Sequence, residues 1–196
     1  DVLASGGSSE EDQRNYFRII QSNSDLLLRL INDILDLSRL EANKVILTPE
    51  DCDVVQLCRQ ALSSVEMSRR ESGNRFVFET KTDSFVLQTD IQRLQQVLIN
   101  LLTNAAKFTK NGTITLQFEV EKEKNRVLFA VADTGCGIPK EKQKQVFERF
   151  EKLNEYAQGT GLGLSICKLT VDKWGGDIWI DPDYEGGARF VVSHPL

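Results

Sequence analysis

Residues 93–107, RLQQVLINLLTNAAK, decide the fold, because they predict a helix with one apolar side and one polar side. At about 100° per residue, six apolar side chains fall on one arc. A second arc carries Arg93, Asn100, Asn104 and Lys107. We predict a helix over residues 90–107, with Asp90 as its cap and the apolar arc in a core. The apolar arc consists of Leu94, Val97, Leu98, Leu101, Leu102 and Ala105.

The polar arc has the residue types of a metal and phosphate site. The amide oxygens of Asn100 and Asn104 are neutral, hard ligands that suit Mg²⁺, and Lys107 can neutralise phosphate. Taken alone, the arc is more typical of a solvated polar surface. Other motifs must decide between these interpretations.

A first glycine cluster follows downstream, at residues 133–138 (DTGCGI). It comes directly after a buried-looking strand, so Asp133 is expected at a strand end. A carboxylate there, with glycines that allow close approach to the backbone, can accept a hydrogen bond from an amine such as that of adenine. The alternative is an ordinary Asp-x-Gly turn.

A second glycine cluster, residues 159–163 (GTGLG), leads into a helix predicted over residues 161–174. Glycine-rich backbone at a helix N-terminus directs N–H groups and the positive end of the helix dipole at an anion. The alternative is a flexible loop with a glycine cap. The spacing matches neither a P-loop nor a dinucleotide-binding fingerprint.

The segment between the clusters supplies aromatic and basic residues, after a short helix predicted over residues 140–147. Phe147 and Phe150 are placed to anchor a lid, and Arg149 or Lys152 to reach phosphate. The alternative is a pair of core phenylalanines with solvated charges, which we favour for Arg149. His194, the single histidine, lies far from every cluster and is interpreted as a surface or edge-strand residue, not a phosphoacceptor.

The remaining sequence divides into a long helix and a segment of mixed helices and strands. Helical spacing runs from Ser9 to Leu40, about 45 Å, which is too long for the surrounding sequence to bury. We therefore expect this helix to pack against helices from elsewhere. Residues 43–50 form the predicted linker, and Asn43 and Pro49 end the helix. A helix is predicted over residues 54–70, and strands over 76–78, 85–87, 113–120, 127–132, 177–180 and 189–192.

Composition narrows the function classes. The chain has 196 residues, 40% of them hydrophobic, and a formal net charge of −5, which argues against nucleic acid or an anionic membrane as the main partner. No apolar run approaches the ~18 residues of a membrane span. The four cysteines lack disulfide or metal spacing, so we interpret them as reduced core or loop thiols in a cytoplasmic protein.

Together these motifs resemble the catalytic, ATP-binding region of bacterial sensor histidine kinases, within the ATPase superfamily shared with gyrase, mismatch-repair clamps and heat-shock chaperones. Residues 93–109 resemble the asparagine box, 133–138 the first glycine box, 147–150 the phenylalanine box and 159–164 the second glycine box. Residues 10–43 resemble the second helix of the dimerisation hairpin. The resemblance implies an α+β fold of the Bergerat type, a two-layer α/β sandwich with a mixed sheet packed on helices, preceded by one long α-helix.

The resemblance also implies domains and roles. Residues 1–42 would belong to the dimerisation hairpin, 43–50 to the linker and 51–196 to the ATP-binding domain. Asp133 would bind the adenine amine, Asn104 would ligate Mg²⁺ with support from Asn100, and Lys107 and the lid residue Lys152 would contact phosphate. The residues implied to bind ATP are Asn104, Asp133, Gly135, Gly137, Ile138, Phe150, Thr160, Gly161, Leu162 and Gly163.

The sequence departs from the family pattern in two places. Nothing matches the acceptor histidine, and residues 1–5 (DVLAS) resemble the last turn of the helix that carries it. We therefore expect the chain to bind ATP but not to phosphorylate itself. The final glycine box has Ala188 where a small hydroxyl residue is common, which weakens a role for Gly186 and Gly187.

The implied function is transfer of the γ-phosphoryl group of ATP to a histidine on a bundle helix, then to an aspartate of a response-regulator receiver domain. The implied partners are ATP or ADP, the acceptor helix, the receiver domain and a second copy of a membrane-anchored full-length kinase. An ATP-hydrolysing clamp or chaperone would carry a glutamate one turn before the metal-binding asparagine, where this chain has Asn100. A non-catalytic binding or dimerisation module is the third alternative.

Overall fold

The computed structural model describes residues 10–69, 72–151 and 160–196, and it confirms the α+β class. One long helix precedes a two-layer unit in which helices pack on a mixed sheet. The helices are α1 (Glu10–Glu41), α2 (Val54–Ser68), α3 (Ile91–Phe108) and α4 (Gly163–Lys173). The strands are β1 (Glu50–Asp53), β2 (Arg75–Thr80), β3 (Val86–Thr89), β4 (Thr113–Glu121), β5 (Arg126–Asp133), β6 (Ile178–Ile180) and β7 (Arg189–Pro195).

The main sheet has five strands in the order β2-β4-β5-β7-β6. β2 and β4 run parallel, and the other neighbouring pairs are antiparallel. β1 and β3 form a separate antiparallel pair. β5 is the central strand, so its last residue, Asp133, lies between β4 and β7 at one end of the sheet. The topology thus shelters this carboxylate from both sides.

The core lies between the sheet and helices α2, α3 and α4. All six residues of the predicted apolar arc of α3 are at most 4% exposed, because that arc faces the sheet. Alternate residues of β4 face the helices, with Ile114, Leu116 and Phe118 buried. As predicted, Asp90 caps α3 by accepting a hydrogen bond from the Arg93 N–H at 3.1 Å.

The long helix α1 ends in a left-handed turn. Asn43 has φ of 56°, and the Lys44 N–H donates to the Arg39 carbonyl at 3.0 Å, which is a Schellman ending. Beyond it, the linker meets α3, because the N–H and hydroxyl of Thr48 both donate to Oδ2 of Asp90. Apolar residues of α1 remain exposed over most of its length, as expected for a helix with too little sequence around it.

Three local predictions were wrong. Residues 140–147 form two short 3₁₀ turns, Lys140–Lys142 and Gln145–Phe147, in place of one helix. α4 begins at Gly163, later than the predicted start at 161. His194 is neither a surface nor an edge-strand residue, because β7 is an interior strand and the side chain is buried against Trp174, with ring centroids 5.0 Å apart.

Three of the four thiols, Cys52, Cys58 and Cys167, are buried, and Cys136 is exposed in a loop, as the sequence predicted. Among the described residues, no helix combines the length and apolar character needed to cross a membrane.

Candidate nucleotide-binding site

The site begins at Asp133, which is only 4% exposed at the end of β5. Its Oδ1 atom accepts hydrogen bonds from the backbone N–H groups of Gly135, at 2.9 Å, and Ala188, at 3.3 Å. Neither of these two bonds uses its Oδ2 atom. One carboxylate oxygen thus fixes the side chain, and the other can accept a hydrogen bond from a ligand.

Electrostatics at Asp133 are set by its surroundings. Burial raises the pKa of this carboxyl group, and the N–H groups of Gly135 and Ala188 offset the rise only in part. The Thr109 hydroxyl is close enough to lower the pKa of Asp133 slightly. It is nevertheless buried and forms no hydrogen bond of normal geometry with the described residues. A buried hydroxyl of this kind is costly unless a ligand or water completes its hydrogen bonding.

Glycines around Asp133 keep the backbone close to the carboxylate. A Cβ at Gly135 would lie 2.9 Å from the Thr109 hydroxyl, and a Cβ at Gly187 would lie 2.8 Å from Oδ1 of Asp133. Gly137 has φ of 68° and backs onto the Gly187 carbonyl. Gly187 and Ala188 are therefore part of the site, although the sequence argued against a role for Gly187. The final glycine box in the sequence did mark these residues. Their contacts with Asp133 use backbone atoms, so the identity of the side chain at 188 does not decide whether they take part.

The polar arc of α3 divides into two parts. Nδ2 of Asn100 lies 3.5 Å from the Gly163 carbonyl, which brings the arc to the second glycine cluster. Asn104, one turn further along, is half-buried, and the Lys107 ammonium lies 4.7 Å from the centroid of the Phe108 ring. Arg93 does not join them, because its guanidinium binds Asp36 of α1 at 2.7 Å.

The second glycine cluster forms the uncapped start of α4. Within the described ranges no side chain caps this helix, and its first turn has no acidic residue. Gly161 has φ of 73°, and a Cβ there would lie 3.0 Å from the backbone of Phe150, whose N–H donates to the Gly161 carbonyl at 3.0 Å. Only glycine fits this crossing. An uncapped helix start with close backbone packing suits an anion.

The remaining predicted site residues have different surroundings. Ile138 packs against the main core, Phe150 is 61% exposed, and the Leu162 side chain is fully buried against α1, so Leu162 can offer only its backbone to a ligand. Thr160 donates its hydroxyl to Asp33 at 2.8 Å. Lys152 and Gly159 lie outside the described residues.

Arg149 was interpreted as a solvated charge, with phosphate binding as the alternative, and its side chain is 52% exposed, in keeping with the favoured interpretation. Its guanidinium forms an ion pair with Glu41 at the end of α1. Phe147 packs on the core, with its ring edge against Phe190 at 6.2 Å between centroids.

Both glycine clusters meet α3, at positions eight residues apart. The first cluster contacts Phe108 and Thr109 at the C-terminal end, and the second contacts Asn100. Along a helix this separation is about 12 Å. An acceptor for an amine thus lies near the C-terminal end of α3, and a helix start that suits an anion lies near the middle of α3. A base, a sugar and a chain of phosphates fit this arrangement in that order.

These residues also fit a divalent cation. The described ranges contain no cluster of three or more His, Cys, Asp or Glu residues that could hold a metal. Asn104 instead offers a neutral amide oxygen on the polar arc, next to the expected phosphates. Such a site suits Mg²⁺, which is commonly held by few protein oxygens together with phosphate oxygens.

Comparison with known proteins gives the class that this fold and site define. Residues 89–196 match the model of the histidine kinase-, DNA gyrase B- and HSP90-like ATPases, so the chain belongs to that family. Residues 1–43 match the phosphoacceptor domain of histidine kinases. In this order, the two matches define the catalytic and dimerisation region of a sensor histidine kinase.

The similar proteins are histidine kinases. The chain is 38% identical to the circadian input-output histidine kinase CikA of Synechococcus elongatus, over 96% of this chain and 26% of CikA. It is 30% identical to the sensor histidine kinase WalK of Bacillus subtilis, over 100% of this chain and 33% of WalK. It thus spans a quarter to a third of these relatives.

Solved structures agree with the sequence comparison. Full-length ShkA in complex with AMPPNP is similar with a TM-score of 0.82 and 31% identity, over 94% of this chain and 39% of that one. ThkA in complex with the response regulator TrrA has a TM-score of 0.78 and 28% identity, over 97% of this chain and 53% of that one.

Proposed function

We propose that this chain is the ATP-binding catalytic portion of a sensor histidine kinase. It transfers the γ-phosphoryl group of ATP to a histidine on a bundle helix, for relay to an aspartate of a response-regulator receiver domain. The observation that carries the proposal is the contact of both glycine clusters with α3, with Asp133 near the C-terminal end of α3 and the start of α4 near its middle. The ShkA complex with AMPPNP and the ThkA complex with a response regulator support it.

The residues have distinct roles in this proposal. Asp133 accepts a hydrogen bond from the adenine amine, with Gly135, Gly137 and Ile138 around the base. Lys107 and the backbone of the second glycine cluster bind phosphate. Asn104, with support from Asn100, would hold Mg²⁺, which would supply neutralisation of the phosphate charge. Positioning and charge neutralisation are the main tasks of a protein in phosphoryl transfer.

Transfer is favoured over hydrolysis by Asn100. An ATP-hydrolysing clamp needs a base to activate water one turn before the metal-binding asparagine. An amide cannot accept that proton. Nδ2 of Asn100 also lies at the Gly163 carbonyl, which suits a role in positioning the second glycine cluster.

The proposal includes the wider protein. Homodimerisation through α1, membrane anchoring of a longer chain and relay to a receiver domain all belong to it. The division into a hairpin part (1–42), a linker (43–50) and an ATP-binding domain (51–196) also belongs to it. His194 is buried against Trp174 on an interior strand, so it is a poor acceptor, and we expect this chain alone to remain unphosphorylated.

The decisive experiment mixes the chain with labelled ATP, Mg²⁺ and a separately made two-helix hairpin that carries a kinase acceptor histidine. Label on the hairpin, and none on a hairpin with that histidine replaced by glutamine, is the expected result. Released phosphate without transfer would identify a hydrolase. If neither labelled hairpin nor free phosphate forms, the chain is a non-catalytic binding module. An acid-labile phosphate on His194 would contradict the proposed lack of self-phosphorylation.

A further inference from the structure

One side of α1 contacts the ATP-binding domain near the C-terminal end of the helix. We call Asp33, Asp36, Leu37, Leu40 and Glu41 the docking face. Their spacing of three, four, seven and eight residues from the first places them on one side of the helix. They meet the second glycine cluster with its neighbours, and the first two turns of α3.

The apolar part of the docking face holds the second glycine cluster. Leu37 and Leu40 form a small core of their own with Leu162 and Ile166. Leu162 is fully buried there, and it stands between Gly161 and Gly163. The position of the proposed phosphate-binding backbone is therefore coupled to the position of α1.

The acidic part of the docking face binds basic and amide side chains of the domain. Asp36 accepts hydrogen bonds from Arg93, at 2.7 Å, and from the Gln96 amide, at 2.7 Å. The side chains of Asp36 and Arg93 are 17% and 20% exposed, so the pair is largely desolvated. Glu41 binds Arg149. Arg93 and Arg149 are thus each paired with an acidic residue of α1.

Asp33 makes the contact that conflicts with a nucleotide. Its Oδ2 atom accepts the Thr160 hydroxyl proton at 2.8 Å. A threonine hydroxyl has one proton to donate, so Thr160 cannot donate to Asp33 and to a phosphate oxygen together. The Asp33 carboxylate also brings negative charge to the glycine cluster in which the phosphates are expected.

We propose that the docking face is a built-in brake on nucleotide binding. In the docked arrangement Asp33 engages Thr160 and opposes the triphosphate, and a bound triphosphate releases Thr160 and loosens α1 from the domain. The coupling is reciprocal, because any ligand that weakens docking binds more tightly when docking is weakened. This inference rests on the proposed function, since it assigns a regulator to the same nucleotide site.

The test compares Asp33→Asn with the unmodified chain in calorimetric titrations with AMPPNP and Mg²⁺. We expect the variant to bind about fivefold more tightly or better, at the lower end of common allosteric coupling. Asp25→Asn is the matched control, because it removes the same charge from an exposed site on the same helix and should leave affinity unchanged. Circular dichroism verifies that both variants keep their helices.

Each outcome of the titration is informative. Tighter binding by Asp33→Asn alone supports the brake, as does binding by that variant when the unmodified chain binds weakly. Equal affinities would overturn the brake and leave the proposed function standing. Absence of binding by both proteins would overturn the brake and the proposed function together.

Hydrogen exchange supplies the reciprocal readout. In the unmodified chain, AMPPNP should raise exchange of the amides in residues 33–41, and Asp33→Asn should show raised exchange before the nucleotide is added. If saturating nucleotide leaves exchange of this segment unchanged, the docking face does not respond to ligand and the inference fails.

Discussion

Replacing Asp133 by Asn separates the proposed base contact from every other feature of the site. Oδ1 already accepts two backbone hydrogen bonds, and an asparagine Oδ1 can keep both. The change therefore falls on Oδ2, which becomes an NH₂ group that faces the adenine amine, so a donor meets a donor. The lost charged hydrogen bond is worth about 1–3 kcal/mol, or roughly a 5- to 150-fold rise in Kd.

Calorimetric titration with AMPPNP and Mg²⁺ measures this change directly. Asp83→Asn is the matched control, because that aspartate is exposed in the turn between β2 and β3, and its replacement should leave Kd unchanged. Unchanged affinity in Asp133→Asn would refute the assignment of this carboxylate to the base.

The same variant should make the ligand-free protein more stable. Burial raises the pKa of Asp133 above its ordinary value, so between the two values the folded state binds more protons than the unfolded state. Stability therefore falls as pH rises through that window, and the loss persists at neutral pH. Asparagine does not ionise, so Asp133→Asn should melt at a higher temperature at pH 7 while it binds ATP more weakly. A lower melting temperature would contradict this account of the carboxylate.

Two further predictions concern the surroundings of Asp133. Gly187→Ala places a Cβ 2.8 Å from both Oδ1 of Asp133 and the Gly135 nitrogen, so it should weaken AMPPNP binding at least tenfold in the same titration. In the control Gly175→Ala the added Cβ meets no atom within 4 Å, and although the φ of 79° makes this change cost some stability, the affinity of the folded protein should not change. Thiol titration of the native protein should find one reactive cysteine, the exposed Cys136, and AMPPNP should protect it. Burial raises the pKa of Cys167 to about 12, and early labelling of that residue would contradict the described packing.

The sequence predicted those parts of the fold in which a local pattern decides the outcome. The apolar arc of α3 had to face the core, and its cap at Asp90 needed only residues next to it in the chain. The prediction of one helix over residues 140–147 was wrong because four charged residues precede the first apolar pair. A helix there gains little burial to offset the cost of nucleation. The prediction for His194 was wrong because its position in the sequence says nothing about which strands pair on either side of β7.

The candidate site was predictable where glycines and Asp133 stand together in the sequence. The site was not predictable where a residue's ion-pair partner is distant in the sequence. Arg93 and Arg149 lie among motif residues, yet they pair with Asp36 and Glu41, and no periodicity reveals such pairs. Ala188 contributes a backbone N–H, which any residue except proline supplies, so its departure from the family pattern carried no information about the contact.

The hydrogen bonds between Thr48 and Asp90 limit how far the ATP-binding domain can move from the end of α1. Between the left-handed turn at Asn43 and the anchored Thr48 there are only five residue steps, which span about 17 Å at full stretch. The domain is therefore joined to α1 by a short linker, which begins at the left-handed turn. When the docking face separates, the domain can reorient about the end of α1, but its anchored edge stays within about 17 Å of that end.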